Sequence, residues 1–164
     1  IKNELLTEDH EYKTVIFDTL NVAQTIAQKH FEDVRGGSSF QTWGDLKDWT
    51  VDFVRSFHTL PDVLSIFIAH PKTVKDDLTG RVSVSPELSG KAVNDVPTVF
   101  DLNGYLGFED VDGTVKRVLN VGQSNKFVTK NRFGLPDSII DPDFKKIFAG
   151  ITAAAESNTK KTTK

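Results

Sequence analysis

Two polar side chains stand at the ends of apolar runs, where they could act on a ligand. Asp18 follows the run 14–17, and His70 follows the run 63–69. If both runs are parallel strands, these residues lie at the carboxyl edge of the sheet, where open α/β folds bind their ligands. An aspartate there can hold Mg²⁺ through its water shell, and a histidine can sense a phosphate or orient an attacking water. The simpler interpretation is that Asp18 or Thr19 caps the next helix and that His70 is structural.

Lys130 and Arg132 form a second candidate group. They lie two residues apart in the string Lys-Asn-Arg-Phe-Gly at 130–134. Side chains spaced by two on an extended segment point the same way, so both cations could reach one anion. Arginine offers bidentate contacts to phosphate and lysine a compact charge, which suits the charge of a phosphoryl group in transfer. A solvated basic loop is the alternative.

A third group consists of basic residues after the second apolar run: Lys72, Lys75, Arg81 and Lys91. They could contact a nucleic-acid backbone, where each cation adds salt-dependent affinity. Acidic residues are interspersed at positions 76, 77 and 87, so a neutral solvated loop explains the same segment equally well.

No segment of the printed sequence has the pattern of a phosphate-binding loop. That pattern is Gly-x4-Gly-Lys-Ser/Thr, in which backbone amides wrap the phosphates and the hydroxyl binds Mg²⁺. The Gly90-Lys91 pair is preceded by Gly80 and followed by Ala92, where a hydroxyl is required. The pair is therefore not a P-loop.

The alternation of strand-like and helical segments predicts an α/β architecture with parallel pairing. Strands are predicted at 14–17 and 63–69, and the second one is expected to be central and buried on both faces. Helices are predicted after Thr19, at 42–57 and at 143–151. A short helix at 90–96 is predicted to stop at Pro97, and Asp112-Gly113 predicts a hairpin between 100–108 and 115–121. The apolar stripe of the first helix is assigned to Leu20, Val22, Ala23, Ile26, Ala27 and Phe31. Residues 1–13 are interpreted as a polar lead-in, 14–151 as one domain and 152–164 as a disordered tail.

Composition limits the class of protein. The 164 residues suffice for one domain with a real core, and the net charge of −3 excludes a polycation, so any DNA contact must come from a local patch. No apolar run approaches the roughly 20 residues of a membrane span. The absence of cysteine excludes disulfides and thiol chemistry and agrees with a cytoplasmic location. The first residue is Ile1 and methionine is absent, which suggests a fragment of a longer product or the omission of modified methionines.

In their order along the chain, these segments resemble the C-terminal portion of phage-encoded RecA-like P-loop ATPases associated with single-strand annealing and recombination. The resemblance covers about residues 11–151 and rests on 14–19, the run ending in His70, the run 88–91 with Val96-Pro97 and Phe100-Asp101, and 130–136. The string Lys-Asn-Arg-Phe-Gly is also similar to the motif of RadA-type recombination helicases and to the trans-acting Lys-x-Arg finger of replicative helicases.

The resemblance implies a partial RecA-like P-loop NTPase core, with a central sheet, flanking helices and a C-terminal β-hairpin. It implies ATP and Mg²⁺ as cofactors, single-stranded DNA as a partner, and assembly into a homo-oligomeric ring or filament. Asp18 would match the magnesium-site aspartate and, with Thr19, the cofactor-binding positions. His70 would match the sensor, Lys130 and Arg132 the finger, and the loop 72–91 the region that faces DNA.

In that family the P-loop and the catalytic glutamate precede the matched region. We therefore expect the chain to carry the hydrolysis-sensing half of a DNA-dependent ATPase and to bind ATP weakly by itself. We also expect it to associate with a complementary N-terminal fragment or with further copies through an exposed sheet edge. Two other classes stay open: a non-catalytic DNA-binding or assembly module without a P-loop, and a structural phage or partner-binding protein of the same fold.

Overall fold

The computed structural model describes residue 5 and residues 11–162, with side chains up to residue 153. The chain divides into two compact units. One comprises Ile1–Lys72 and Ser85–Val99, and the other comprises Thr73–Val84 and Phe100–Lys164. The predicted domain 14–151 therefore contains parts of both units, whereas most of the predicted lead-in lies outside the described residues.

The first unit is built around a two-stranded parallel sheet. Strand β1 (Thr14–Asp18) pairs in parallel with strand β2 (Leu64–Ile68), and Asp18 lies opposite Ile68. Helices α1 (Leu20–Arg35) and α2 (Phe40–His58) connect the two strands, and α1 and α3 (Ala92–Val99) both pack against α2. The mixed α/β architecture and the parallel pairing are confirmed. The prediction of a central strand buried on both faces is wrong, because β1 is the one strand that pairs with β2 in the part of the chain that the structure describes, and β2 is half-buried to exposed.

One face of this sheet packs on α2 through aromatic side chains. The ring of Phe17 lies 4.5 Å from that of Phe57, 4.6 Å from that of Phe67 and 5.2 Å from that of Phe53, measured between centroids. Edge-to-face and stacked contacts of this kind stabilise a core beyond the area that they bury. The opposite face carries Ile16, which is 59% exposed. The aromatic contacts therefore fix the position of the sheet from one side.

The predicted stripe of helix α1 is confirmed at Leu20 and Ala27 and is wrong at Val22 and Ile26. Leu20, Gln24 and Ala27 are buried, whereas Val22 and Ile26 are 52% and 67% exposed. The spacing of four and then three residues is that of one helix face. The prediction counted only apolar residues and therefore omitted Gln24, which lies between Leu20 and Ala27 on the buried face.

Helix α3 contradicts the prediction that Pro97 ends it. Pro97 lies inside the helix and is buried. A proline removes the hydrogen bond to the carbonyl four residues before it, which here is that of Val93 in the first turn of α3. The helix therefore continues through the proline to Val99.

A two-stranded ribbon forms where the chain passes between the units, from β3 (Pro71–Lys75) and β4 (Val82–Pro86). In the second unit β5 (Leu102–Asn103) pairs with β8 (Lys130–Asn131), and β6 (Tyr105–Val111), β7 (Thr114–Asn120) and β9 (Ser138–Ile140) form an antiparallel sheet. The predicted hairpin is confirmed as β6–β7. Both turn residues have positive φ, 53° at Asp112 and 78° at Gly113, which is the conformation that an Asp-Gly turn favours.

The last helix, α4, spans Phe144–Thr162. It begins where predicted but extends past residue 151 into the segment for which we predicted disorder, and residues 163 and 164 lie outside the described part. None of the helices in the described ranges is long and apolar enough to cross a membrane.

Candidate functional site

The carboxyl edge of the β1–β2 pair is the candidate site. Asp18 is the last residue of β1 and is exposed, and His70 follows the end of β2 by two residues and is also exposed. Because the strands are parallel and Asp18 lies opposite Ile68, both side chains belong to the same edge of the sheet. This is the edge at which open α/β sheets bind ligands.

Thr19 occupies the N-cap position of α1 but does not cap the helix with its side chain. Its backbone is extended, with φ −126° and ψ 155°, and its hydroxyl makes no capping hydrogen bond. Among the residues that the structure describes, Thr19 Oγ1 is the buried side-chain oxygen that lacks a hydrogen-bond partner. Such groups are rare in folded proteins because each costs free energy unless a ligand or water satisfies it. The simple capping interpretation is therefore not supported for Thr19.

The oxygen ligands at this edge are too few to hold Mg²⁺ by themselves. They suit a Mg²⁺ ion that is also bound by the phosphates of a nucleotide. Asp18 supplies an exposed carboxylate, whereas Thr19 Oγ1 beside it is buried and has no hydrogen-bond partner. In the described ranges no three His, Cys, Asp or Glu side chains are grouped so as to hold a metal ion. Mg²⁺ keeps several waters and is bound through one or two carboxylates plus phosphate oxygens, so a single carboxylate is sufficient at a nucleotide site.

His70 makes three hydrogen-bond contacts, two with Asn21 and one with Glu87. Its backbone N–H donates to Asn21 Oδ1 at 3.3 Å, and its carbonyl accepts from the Glu87 N–H at 2.8 Å. Its ring atom Nδ1 lies 3.2 Å from Asn21 Nδ2. Asn21 lies in the first turn of α1, three residues after Asp18, and was missed by the sequence analysis. Its polar character beside Asp18 and Thr19 was the available signal.

The residues of the string 130–134 make different contacts within the second unit. Arg132 pairs with Asp101, with 2.7 Å between Nη1 and Oδ1, and its backbone N–H donates to the Asp101 carbonyl at 3.1 Å. Asn131 closes the following turn, since its side chain donates to the Leu135 carbonyl and accepts from the Leu135 N–H. Gly134 adopts φ +66° within that turn. Two members of the string therefore shape the loop that presents the cations.

Lys130 lies in β8 and lines an open cavity of about 270 Å³. The cavity is also lined by Gly122, Ser124, Thr129 and Asp137. Thr129 Oγ1 donates to the Gly122 carbonyl at 2.6 Å, which ties two sides of the cavity together. Asp18, Thr19 and His70 belong to the first unit, and Lys130 and Arg132 belong to the second.

The four basic residues of the predicted nucleic-acid loop have different surroundings. Lys72 and Lys75 lie on β3, three residues apart and thus on opposite faces of an exposed strand. Arg81 donates from Nε and Nη2 to the Asn125 carbonyl, at 3.3 and 2.8 Å, so its guanidinium anchors the ribbon. Lys91 is exposed and its carbonyl accepts from Asn94 and Asp95 at the start of α3.

The chain matches one protein family over most of its length. The AAA domain family matches residues 2–133, a range that includes β1, β2 and the Lys130–Arg132 pair. No curated protein and no solved structure matches the chain. The chain therefore belongs to the AAA domain family, a family of nucleotide-binding ATPase domains of the P-loop class.

Proposed function

We propose that this chain is the portion of a DNA-dependent ATPase that positions Mg²⁺ and senses the γ-phosphate, in phage DNA recombination or single-strand annealing. One observation carries the proposal. In a chain of the AAA domain family, an exposed carboxylate, an unsatisfied buried hydroxyl and an anchored imidazole lie at the carboxyl edge of a parallel strand pair. RecA-like specificity is supported by the order of the motifs along the sequence.

Asp18 and Thr19 would hold Mg²⁺ together with its water shell. When bound to ATP, the ion neutralises charge on the phosphates during transfer. The carboxylate of Asp18 is exposed and thus accessible to such a shell. His70, fixed through its backbone on both sides, would contact the γ-phosphate as the sensor.

Lys130 and Arg132 would act as the finger that reaches the phosphates of a neighbouring subunit in a ring or filament. Arginine suits this role because its planar fork binds phosphate oxygens in a bidentate manner. In the unassembled chain the Asp101 carboxylate binds the Arg132 guanidinium. On assembly a phosphate of the neighbouring subunit would replace that carboxylate. The ion pair is partly exposed, at 60% and 34% for the two side chains, so its exchange costs little free energy.

Single-stranded DNA would be bound by the β3–β4 ribbon. Every residue of the segment 71–80 is exposed, and Lys72 and Lys75 extend from β3. Phosphate contacts of this kind predict affinity that falls with salt. Arg81, whose guanidinium is bound to the Asn125 carbonyl, and Lys91 are the two further positions that the sequence predicts for contacts with DNA.

The test uses the polypeptide that carries these residues together with a phosphate-binding loop, or this chain purified with a fragment that supplies the loop. We expect Mg²⁺-dependent ATP hydrolysis that single-stranded DNA stimulates. Asp18→Asn should lower the rate about 100-fold, because it removes charge at the magnesium site. Asp33→Asn, at an exposed position on α1, is the matched control and should leave the rate unchanged.

Two results would contradict the proposal: no Mg²⁺-dependent ATP binding in that preparation, or equal rates for Asp18→Asn and Asp33→Asn. A chain that binds single-stranded DNA with a steep salt dependence but binds no nucleotide would instead support the non-catalytic binding module. The lack of a Gly-x4-Gly-Lys-Ser/Thr string in the printed 164 residues is the observation that favours this second function.

A further inference from the structure

We infer that Asn21 is a positioning residue that fixes the tautomer of His70, so that the ring presents its Nε2–H as a hydrogen-bond donor at the β1–β2 edge. The link from this donor to a phosphate oxygen rests on the proposed function. The tautomer itself follows from two contacts between Asn21 and His70, and it is testable without any nucleotide.

The orientation of the Asn21 amide is set by the backbone of His70. A backbone N–H can only donate, so the Asn21 atom that lies 3.3 Å from the His70 nitrogen must be the oxygen Oδ1. An amide whose oxygen faces a fixed donor cannot be flipped without placing two donors against each other. The Asn21 atom that faces the imidazole is therefore the nitrogen Nδ2.

The amide nitrogen then determines which ring nitrogen of His70 carries the proton. An NH₂ group has donors and no acceptor, so Nδ1, at 3.2 Å from Asn21 Nδ2, must accept with its lone pair. In a neutral imidazole with an unprotonated Nδ1, the proton is on Nε2. His70 is therefore a donor through Nε2–H.

This assignment is compatible with both roles that the sequence allows for His70, sensing a phosphate and orienting a water, and it excludes a third role, that of a general base. A group that presents N–H donates to an acceptor, such as a phosphate oxygen, an oxyanion or the oxygen of a water. It cannot at the same atom accept a proton from an attacking water, as a general base must. Asn21 therefore makes His70 a hydrogen-bond donor to an oxyanion or to a water and not a base.

The location of Asn21 couples this donor to the magnesium-site residues. Asn21 lies in the first turn of α1, which begins directly after Thr19. A shift of that turn moves Asp18, Thr19 and the partner of His70 together. The Glu87 N–H holds the His70 carbonyl at 2.8 Å, so the ring is oriented against a backbone that is fixed on both sides.

The test is a long-range ¹H–¹⁵N correlation spectrum of the histidine rings at about pH 8.5, where an ordinary imidazole is neutral. The chain has four histidines, and His70→Gln assigns the signal of His70. We expect the Nε2–H pattern for His70 in the unaltered chain. In Asn21→Asp the carboxylate can only accept, so the ratio of the tautomers should shift toward Nδ1–H by about five-fold or more.

Asn94→Asp is the matched control, because Asn94 lies in the first turn of α3 and is exposed. It should leave the His70 signal unchanged. Tryptophan fluorescence reports whether each variant is folded, since Trp43 and Trp49 both lie in α2 of the same unit. If Asn21→Asp does not fold, Asn21→Ala replaces it, and its tautomer ratio should approach that of a free peptide.

A protonated Nδ1 in the unaltered chain, or a tautomer ratio that no change at Asn21 alters, would overturn the inference. The proposed function fails separately. The tautomer can shift as expected while the assembled protein hydrolyses ATP at the same rate with Asn21→Asp and with Asn94→Asp. That result would show that Asn21 orients His70 but that His70 is not a sensor.

Discussion

Gln24 is the residue whose replacement should most clearly destabilise the first unit. It is 3% exposed, and its side chain joins three parts of the unit. Nε2 donates to Thr50 Oγ1 on α2 at 3.1 Å, and Oε1 accepts from the Ser89 N–H at 2.7 Å. Thr50 in turn donates to the Leu46 carbonyl at 2.6 Å. The glutamine thus links α1, α2 and the turn that precedes α3.

The magnitude of the effect follows from what Gln24→Ala leaves behind. The Ser89 N–H, which is half-buried, loses its acceptor, and an unsatisfied donor costs about 1–3 kcal/mol. Thr50 keeps its bond to Leu46 but loses the donor from Gln24, for about 1 kcal/mol more. We therefore expect the free energy of unfolding to fall by about 2–4 kcal/mol in total.

The assay is urea unfolding followed by tryptophan fluorescence, which reports on this unit because both tryptophans lie in α2. The matched control is Gln28→Ala, one turn further along α1, where the glutamine donates only to Glu32 at 2.9 Å. That change should cost less than about 0.5 kcal/mol. Helix propensity changes equally in the two variants, so the difference between them reports the buried contacts of Gln24, its packing as well as its hydrogen bonds.

Thr50→Val provides the reciprocal measurement. It leaves Gln24 Nε2 buried without its acceptor, and in a double-mutant cycle with Gln24→Ala the coupling should be about 1 kcal/mol. Equal unfolding free energies for Gln24→Ala and Gln28→Ala would refute the reasoning, because they would show that the Gln24 contacts do not stabilise the unit.

Three further predictions concern local features. Ser39→Ala removes the side chain that accepts the Thr42 N–H at 3.1 Å at the start of α2, and should cost about 1 kcal/mol in the same urea assay. Hydrogen bonds from the Thr79 and Leu78 N–H groups lower the pKa of Asp76 below its usual 3.8. The turn of the ribbon should therefore be ordered above that value and lose order as the pH falls through the lowered pKa. The amide chemical shifts of Leu78 and Thr79 would show this change, and Asp76→Asn should abolish its pH dependence. Asp101→Ala, which breaks the exposed ion pair to Arg132, should destabilise the second unit by less than about 1 kcal/mol by circular dichroism, and less still in about 0.5 M salt.

The elements that the sequence predicted correctly are those specified by neighbouring residues. The β6–β7 hairpin follows from Asp112-Gly113, whose positive φ values no distant contact has to impose. Strand β1 follows from the β-prone run at its position. These signals act over a few residues, so they can be read without knowledge of the fold.

The errors arise where a partner is far away along the chain. Gln24 was omitted from the stripe of α1 because its hydrogen-bond partners are Thr50, 26 residues later, and Ser89, 65 residues later. The continuous apolar run of β2 predicted a strand buried on both faces, but its neighbours in space are β1 and the aromatic side chains of α2 on one side. Neither fact is encoded in local spacing.

The candidate site could be predicted in part for the same reason. Asp18 and His70 each follow an apolar run, and parallel pairing brings such ends together. Asn21 was not found because its partner His70 is 49 residues away, and Asp101 was not found because it meets Arg132 across 31 residues. The sequence indicated the residues that could contact a ligand. It did not indicate Asn21 and Asp101, which hold those residues in place.

The most direct test of the account is paramagnetic broadening of the backbone amides of this chain by Mn²⁺ with ATP, measured in the presence of a fragment that supplies the phosphate-binding loop, since Mn²⁺ occupies oxygen sites of the magnesium type. The account predicts selective broadening at Thr19, Asn21 and His70, with loss of that broadening in Asp18→Asn and its retention in Asp33→Asn. Broadening that avoids the β1–β2 edge, or that is the same in Asp18→Asn, would contradict the assignment of this edge as the nucleotide site.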